Sequence, residues 1–451
     1  MRVAIIGSGP AGFYAAEALL RRTDTVVHVD MFERLPTPYG LVRGGVAPDH
    51  QSIKAVTRIY EKTASRPTFR FLGNVCLGRD VTVEELRQHY HQIVYAVGNE
   101  DDRRLGIPCE GIARCTPATV FIGWYNGHPD YRQAKIDLSV SRVAVVGNGN
   151  VAIDSARMLL RTPAELEKTD VAEHALEALR HSQVREVFIL GRRGPEQASF
   201  TPPELKEFGE MEDVDPIVAP EELAGCVIPE SAGNTQQEKN LKILQSFAAR
   251  QHGTKAKKLH LRFLVSPIEI IADADGKVVG LVIEKNRLEV QPDGTVSARG
   301  TGEMEVLEVG MVLPAIGFAA KRIAGIPYDE KAKVIANEDG RVADPVSRSV
   351  IANEYVVGWA RTGPQGLIGS HKGASAHVVE HMIADGAGLE ARELPEREAI
   401  DSLLRQRGVQ IVSFSDWKRL DDVEVARGER RGAPRDKIVD VEAMLEVLAQ
   451  H

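Results

Sequence analysis

The sequence predicts an α/β protein with two dinucleotide-binding domains, each a three-layer Rossmann-like unit, on three observations. Two glycine-rich loops, Gly7-Ser8-Gly9-Pro10-Ala11-Gly12 and Gly147-Asn148-Gly149-Asn150-Val151-Ala152, each follow a short β-branched run. Each loop opens an alanine- and leucine-rich stretch of helical period, the context that turns a glycine match into a diphosphate cradle. At 451 residues the chain exceeds one compact core, so each loop can have its own sheet.

In chain order, 2–6 reads as a buried parallel strand and 11–20 as the helix that packs back on it, with Phe13, Ala16 and Leu20 on one stripe. Gly7 permits the tight turn, Gly9 lets the backbone approach a pyrophosphate, and Gly12 lets helix and strand pack closely. The diphosphate is expected at the helix N-terminus, where free amides and the macrodipole favour negative charge. A second strand, 26–32, runs into Glu33. A carboxylate there accepts hydrogen bonds from both hydroxyls of an unphosphorylated ribose and repels a 2′-phosphate, so the first loop is expected to take FAD or NAD. The next segment, LPTPYGLVRGGVAPDH at 35–50, is dense in Pro and Gly and short of helical periodicity. It is predicted to be a rigid functional loop able to lie close to a flat ligand.

The second unit begins with a strand at 142–146 and a helix at 151–160, followed by an inserted helical segment at 162–182 that lengthens the crossover. The next strand, 186–190, leads into Gly191-Arg192-Arg193-Gly194-Pro195. Where an NAD site carries an acid, two guanidinium groups stand here, suited to a 2′-phosphate by charge-assisted bidentate bonds. The second loop is therefore expected to select NADP. Further on, Gly366 to Gly369 precede a helical pattern at 371–383, offering one more helix N-terminus to an electron-rich ring. In the tail, 393–407 and 441–448 read as helical and 427–435 as a basic, glycine-containing linker.

Composition narrows the function. A hydrophobic fraction of 43% and a charged fraction of 27% are ordinary for a globular protein, and no stretch reaches the roughly 18 apolar residues that span a bilayer. The short run Val3 to Ile6 leads straight into the first loop and reads as a strand, not as a signal-peptide core, so a cytoplasmic location is expected. Cys76, Cys109, Cys115 and Cys226 form no C-x-x-C pair, which argues against a redox disulfide and against a metal centre. A net charge of −8 argues against nucleic-acid binding. The densest basic stretch, Lys239, Lys242, Arg250, Lys255, Lys257, Lys258 and Arg262, is either a solvated charge run or a face that steers an acidic partner.

Taken together, the first loop, the 35–50 segment, Tyr95-Ala96-Val97-Gly98, VVGNGNVAID at 145–154, Gly191 to Pro195, Thr201 to Glu204 and YVVGWARTGPQGLIG at 355–369 resemble the adrenodoxin-reductase branch of the ferredoxin–NADP reductases. Gly358-Trp359 stands where the wider two-dinucleotide family usually has Gly-Asp. The resemblance implies FAD contacts at Ala11, Glu33, Leu41, Leu77, Trp359, Gly366, Leu367 and Ile368, beside the loop glycines Gly7, Gly9 and Gly12. It implies NADP contacts at Asn148, Gly149, Asn150, Val151, Arg192, Arg193, Glu204 and Gly366, beside Gly147. It also implies a discontinuous FAD domain, 1–103 and 320–385, around an NADP domain, 104–319, with a mostly helical tail, 386–451, packed on the FAD domain.

In such an enzyme NADPH brings its nicotinamide against the flavin, delivers a hydride, and the flavin releases single electrons to a ferredoxin-type iron–sulfur protein, with a cytochrome P450 system as a further partner through the ferredoxin. Three residues carry catalytic expectations. His50 lies near the nicotinamide–flavin junction in the resembling family and either handles a proton or orients the ligands, or is simply a loop histidine with its hydrogen bonds satisfied. Asp154, in the first turn after the second loop, is either a catalytic part or a partner of the helix dipole. Glu204 is expected to contact the nicotinamide, the other reading being a charge at a helix N-terminus. A monooxygenase or oxidase acting on a small organic substrate shares both loops and remains the alternative, as does a non-enzymatic flavin-binding sensor.

Overall fold

Both faces of each strand before a glycine loop are buried, as parallel strands in a three-layer protein require. The computed structural model describes residues 1–224, 226, 235–250 and 253–450, which form two compact units, Met1–Asp101 with Gly317–His451 and Asp102–Ile316.

The first unit holds a seven-stranded sheet in the order Asn337–Glu338, Arg341–Ala343, Val350–Val356, Gln92–Tyr95, Arg2–Ile6, His28–Glu33, Phe69–Gly73. The last five run parallel and the first two add as an antiparallel edge. Ile6 lies opposite both Phe32 and Tyr95, so the turn at Gly7 leaves the carboxyl edge of the sheet between its neighbours, where α/β sheets bind ligands. Val3 and Ile5 pack on Phe13, Ala16 and Leu19 of the helix Pro10–Leu20 and on Val378, Val379 and Met382 of the helix His371–Asp385. Ala4 and Ile6 face Leu86, Tyr90 and Ile335.

The last sixty-odd residues serve both faces. Ile400 and Leu404 complete one cluster, while Trp417, Leu420, Met444 and Leu448 complete the other. A polar pin reinforces this: the fully buried Asp30 accepts hydrogen bonds from Arg70 (2.6 Å), Arg397 (2.5 Å) and the Tyr90 hydroxyl (2.8 Å).

The second unit has a five-stranded parallel sheet in the order Met311–Pro314, Arg142–Val146, Glu186–Leu190, Lys257–Arg262, Val214–Ile217. Strand alternation sorts its residues. Val143, Val145, Val187 and Ile189 face helices through Phe121, Ile153, Ala156 and Leu176. Ala144, Val146, Phe188 and Leu190 face an antiparallel sheet, Val265–Ala272, Val278–Val290 and Val296–Leu307, through Ile270, Leu281 and Ile283. One outer layer of this unit is therefore a sheet. The lengthened crossover is filled by Pro163–Glu167, opened by a Thr162–Glu165 capping box, and Glu173–Arg180.

Local structure differs from the sequence reading most clearly at three points, beside a strand expected from 26 that begins at His28. The 35–50 loop contains a helical turn, Leu41–Gly44, made possible by Gly40 at φ +49°. The tail helix expected from 393 begins at Ala399. Residues 427–431, expected as linker, continue the helix Phe414–Arg431, which a Ser413–Asp416 capping box starts and Gly432 ends. Arg430 and Arg431 in its last turn complement the helix dipole, and Gly428 is buried where a Cβ would overlap the backbone of Arg435. Among the described residues no helix is long and apolar enough to cross a membrane.

Candidate functional site

In the first unit the three loop glycines have different constraints. A Cβ on Gly7, at φ +102°, would overlap the Ala96 carbonyl, and one on Gly12 would overlap the Gly7 carbonyl. Gly9 is different, because a Cβ there would meet nothing within 4 Å. Packing among the described residues explains Gly7 and Gly12 but not Gly9, where a bare backbone suits the close approach of a diphosphate. The helix that follows has no side-chain cap and carries Pro10 at its start, which leaves early amides available to an anion. This donor set fits a diphosphate.

Other segments of the first unit close on the same loop. Gly40 passes Gly9 so closely that an added Cβ would lie 3.0 Å from its Cα. Gly358, at φ +68°, would meet the Ala11 methyl at 2.6 Å, and Ser375 Oγ donates to the Ala11 carbonyl at 3.1 Å. Trp359 thus starts its helical turn beside Ala11; its Nε1 donates to the Gln365 carbonyl at 3.1 Å and its ring stacks on Phe318 at 5.9 Å. Gly366, at φ +81°, turns the chain toward Leu367 and Ile368 and the uncapped helix His371–Asp385. Leu41 and Leu367 are exposed, whereas Leu77 is half-buried against the cluster around Val75 and Val81.

Glu33 is held in place by its own chain. Ser8 donates to Oε2 through its hydroxyl (2.6 Å) and its amide (3.2 Å), and the Leu35 amide donates to Oε1 at 3.1 Å. Burial pushes its carboxyl above the usual range, against these bonds. His50, half-buried, precedes the short helix Gln51–Lys54 at the end of the 35–50 segment.

The second loop repeats the pattern. A Cβ on Gly147, at φ +149°, would overlap the Ala315 carbonyl, and the helix Asn150–Leu160 begins at Gly149 without a side-chain cap. The loop is tied to the segment before Glu204: the Asn148 carbonyl accepts from Ser199 N (2.9 Å) and Oγ (2.8 Å), and Asn150 Oδ1 accepts from Thr201 N at 2.8 Å. Among the described residues Asn148 Oδ1 is buried without a partner, as a group available to a ligand donor would be. Arg192 and Arg193 are exposed and, among the described residues, neither enters an ion pair. Their backbone is fixed by Asn286 Nδ2 on the Arg192 carbonyl (2.9 Å) and Leu264 N on the Arg193 carbonyl (3.2 Å). Beside them, a cleft of about 490 Å³ is lined by Arg193, Gln197, Ala198, Ser199, Gln236 and Gln237. Two unengaged guanidiniums on a fixed backbone fit a phosphate monoester.

Sequence reasoning missed the residue that organises this unit's acids. Arg157, fully buried, pairs with Asp154 (2.7 Å), Glu204 (3.4 Å) and Glu207 (3.3 Å). Asp154 is thereby engaged by a side chain rather than left to the helix dipole alone. The available signal was the spacing, with Asp154 three residues before Arg157 and Glu204 three before Glu207. The basic stretch fares differently from the steering-face reading. Lys255 Nζ donates to the Met211 carbonyl, Lys257 Nζ to the Leu160 and Arg161 carbonyls, and Arg250 to the Gly209 carbonyl. Arg262 is paired with Glu222 and Glu305, and Lys242 with Glu238. Most of these charges stitch the unit together.

Comparison with known proteins agrees with this geometry. Residues 1–191 match the pyridine nucleotide-disulphide oxidoreductase family. NADPH-ferredoxin reductase FprA of Mycobacterium tuberculosis is 41% identical over 456 residues, covering 99% of this chain and 98% of that protein. Mitochondrial NADPH:adrenodoxin oxidoreductase of Homo sapiens is 39% identical over 459 residues, covering 99% and 92%. A solved structure of Mycobacterium tuberculosis FprA in complex with NADPH superposes with a TM-score of 0.95 at 40% identity over 99% of both chains. With both cradles present and full-length relatives of this kind, the chain belongs to the adrenodoxin-reductase branch of the ferredoxin–NADP reductases.

Proposed function

We propose that the protein is a ferredoxin–NADP reductase that moves a hydride between NADP(H) and FAD and single electrons between FAD and a ferredoxin-type iron–sulfur protein. The observation that carries this reading is full-length similarity to NADPH-ferredoxin and adrenodoxin reductases in a chain that keeps both glycine cradles. The same similarity favours it over a monooxygenase acting on an organic substrate. When bound, the nicotinamide supplies the hydride and the flavin converts a two-electron donor into a one-electron donor.

The chain's own residues do the placing. Residues 1–103 and 320–385 are assigned to FAD, 104–319 to NADP, and 386–451 to support of the FAD domain. Gly9 and the amides of Ala11 and Gly12 receive the FAD diphosphate, Glu33 its ribose, and Trp359 with Gly366, Leu367 and Ile368 the flavin end. Gly147 to Val151 receive the NADP diphosphate, and Arg192 and Arg193 the 2′-phosphate that distinguishes it from NAD. Glu204 orients the nicotinamide amide, Arg157 holds Glu204 and Asp154 in position, and His50 orients the ligands or moves a proton. The four described cysteines are all free thiols, which supports work in the reducing cytoplasm.

The deciding experiment is an anaerobic titration of the yellow protein with NADPH and, separately, NADH. Flavin bleaching at low NADPH but not NADH, followed by reoxidation on adding an oxidised ferredoxin, is the expected result. A preparation that binds no flavin, or whose reduced form returns electrons to an organic substrate and oxygen faster than to ferredoxin, would overturn the proposal.

A further inference from the structure

On the first unit, away from both glycine loops in sequence, three side chains converge on one point. His377 and His381 stand one turn apart on the helix His371–Asp385, and each places Nε2 2.8 Å from the same oxygen, Oδ2 of Asp339. All three ligand atoms lie within 4.8 Å of one another. We propose that Asp339, His377 and His381 form a binding site for a divalent cation of the zinc class, with two imidazole nitrogens and one carboxylate oxygen as protein ligands.

The arrangement is built before any ion arrives. Asp339 and Gly340, at φ +48° and +89°, form the two-residue turn between Asn337–Glu338 and Arg341–Ala343. An Asp-Gly pair with both φ positive is the favoured tight hairpin turn. A Cβ on Gly340 would press into the Val378 side chain, so the turn rests on the helix at the residue between the two histidines in register. Asn337 braces it, accepting from Gly340 N at 3.1 Å and donating to the Ile335 carbonyl at 2.8 Å. Arg361 takes the other carboxylate oxygen, Oδ1, at 2.5 Å. It therefore aims Oδ2 at the imidazoles, the service that outer partners perform for metal ligands.

The chemistry suits a borderline cation. Imidazoles at i and i+4 present their nitrogens from one helix face, as in zinc sites built on helices. Zn–N and Zn–O bonds of about 2.0–2.1 Å at a tetrahedral angle need ligand atoms about 3.4 Å apart, so the side chains must open by about half an ångström. They have room, since the side chains of His377 and Asp339 are more than half exposed, at 52% and 54%. Two arginines and two aspartates surround the site, Arg361 with Asp339 and Arg341 with Asp385, and leave it near neutral. Nitrogen donors favour Zn²⁺ over Mg²⁺, which prefers an oxygen shell.

The test uses the full-length, flavin-loaded, tag-free protein, stripped with a chelator and titrated calorimetrically with ZnCl₂. Wild type is expected to take up one equivalent more than His377→Ala, His381→Ala or Asp339→Asn, and to show no such step with MgCl₂. The 450 nm absorbance of each variant checks that it is folded. If a variant fails that check, X-ray absorption at the zinc edge on wild type decides, two histidine nitrogens being expected in the shell. No uptake by wild type, equal uptake by folded variants, or a shell without histidine would overturn the proposal and leave two imidazole N–H donors on a carboxylate.

Discussion

Replacing Arg157 by Met tests whether one buried guanidinium organises the acids of the NADP unit. Its side chain is 0% exposed, whereas Asp154, Glu204 and Glu207 are 18%, 13% and 32% exposed. Breaking a buried ion pair from one side costs about 3–5 kcal/mol, because the opposite charge stays behind in a poor solvent. Here the carboxylates keep partial access to water and Glu207 can turn outward, so the lower end applies, about 3 kcal/mol. In a domain of this size that lowers the melting temperature by about 6–12 °C.

Urea unfolding followed by circular dichroism should show a reduced midpoint at unchanged slope. The double variant Arg157→Met/Glu204→Gln should be less destabilised than the sum of its single changes, since the second removes one of the charges that Arg157 offsets. Arg157→Lys should recover only part, because a point charge cannot serve three acceptors in fixed directions. An Arg157→Met protein within about 0.5 kcal/mol of wild type, the range of an ordinary surface substitution, would refute the reasoning.

Three other outcomes follow from geometry already described. Gly9→Ala should yield a folded protein that is pale, with a low 450-to-280 nm absorbance ratio, while Gly12→Ala should be unstable even without flavin; equal flavin content in the Gly9 variant and wild type would contradict the assignment. Arg192→Ala and Arg193→Ala should each weaken NADPH about 10- to 150-fold, the loss of about 1.5–3 kcal/mol expected for a bond to a charged group, and leave NADH nearly unchanged in anaerobic titrations. Burial alone would push the Asp30 carboxyl up, but Arg70 and Arg397 carry it below its ordinary value. Its stabilisation is therefore complete above the unfolded value of about 3.9 and lost as pH falls through the lower folded value. Asp30→Asn should lower the urea midpoint near neutrality and flatten its acid dependence, and parallel pH curves for the two proteins would exclude the effect.

What could be read from the chain was whatever advertises itself locally. The two strand–glycine–helix units show in β-branched runs and glycine spacing, and Arg142–Val146 and Glu186–Leu190 appear where expected. Other features depend on distant residues. Arg157 looks like any basic residue on a helix until Pro202–Glu207 brings two carboxylates to it. The helix Phe414–Arg431 hides because its buried face includes Asp421 and Glu424 beside Trp417 and Leu420, which breaks the apolar period. Glu424 is tolerable there because Arg43 meets it at 2.5 Å, a partner 381 positions away. Lys255 and Lys257 read as part of a surface charge run because their carbonyl acceptors lie on other elements.

The dependence of the first sheet on both ends of the polypeptide has a consequence for biosynthesis. The continuous middle unit can collapse while the ribosome is still translating, whereas the flavin-side nucleus lacks Trp417, Leu420 and Met444 until those residues too have been made. Nascent protein should therefore acquire its yellow colour only after these residues have emerged, and a chain stalled before them would present an unfinished hydrophobic surface to chaperones.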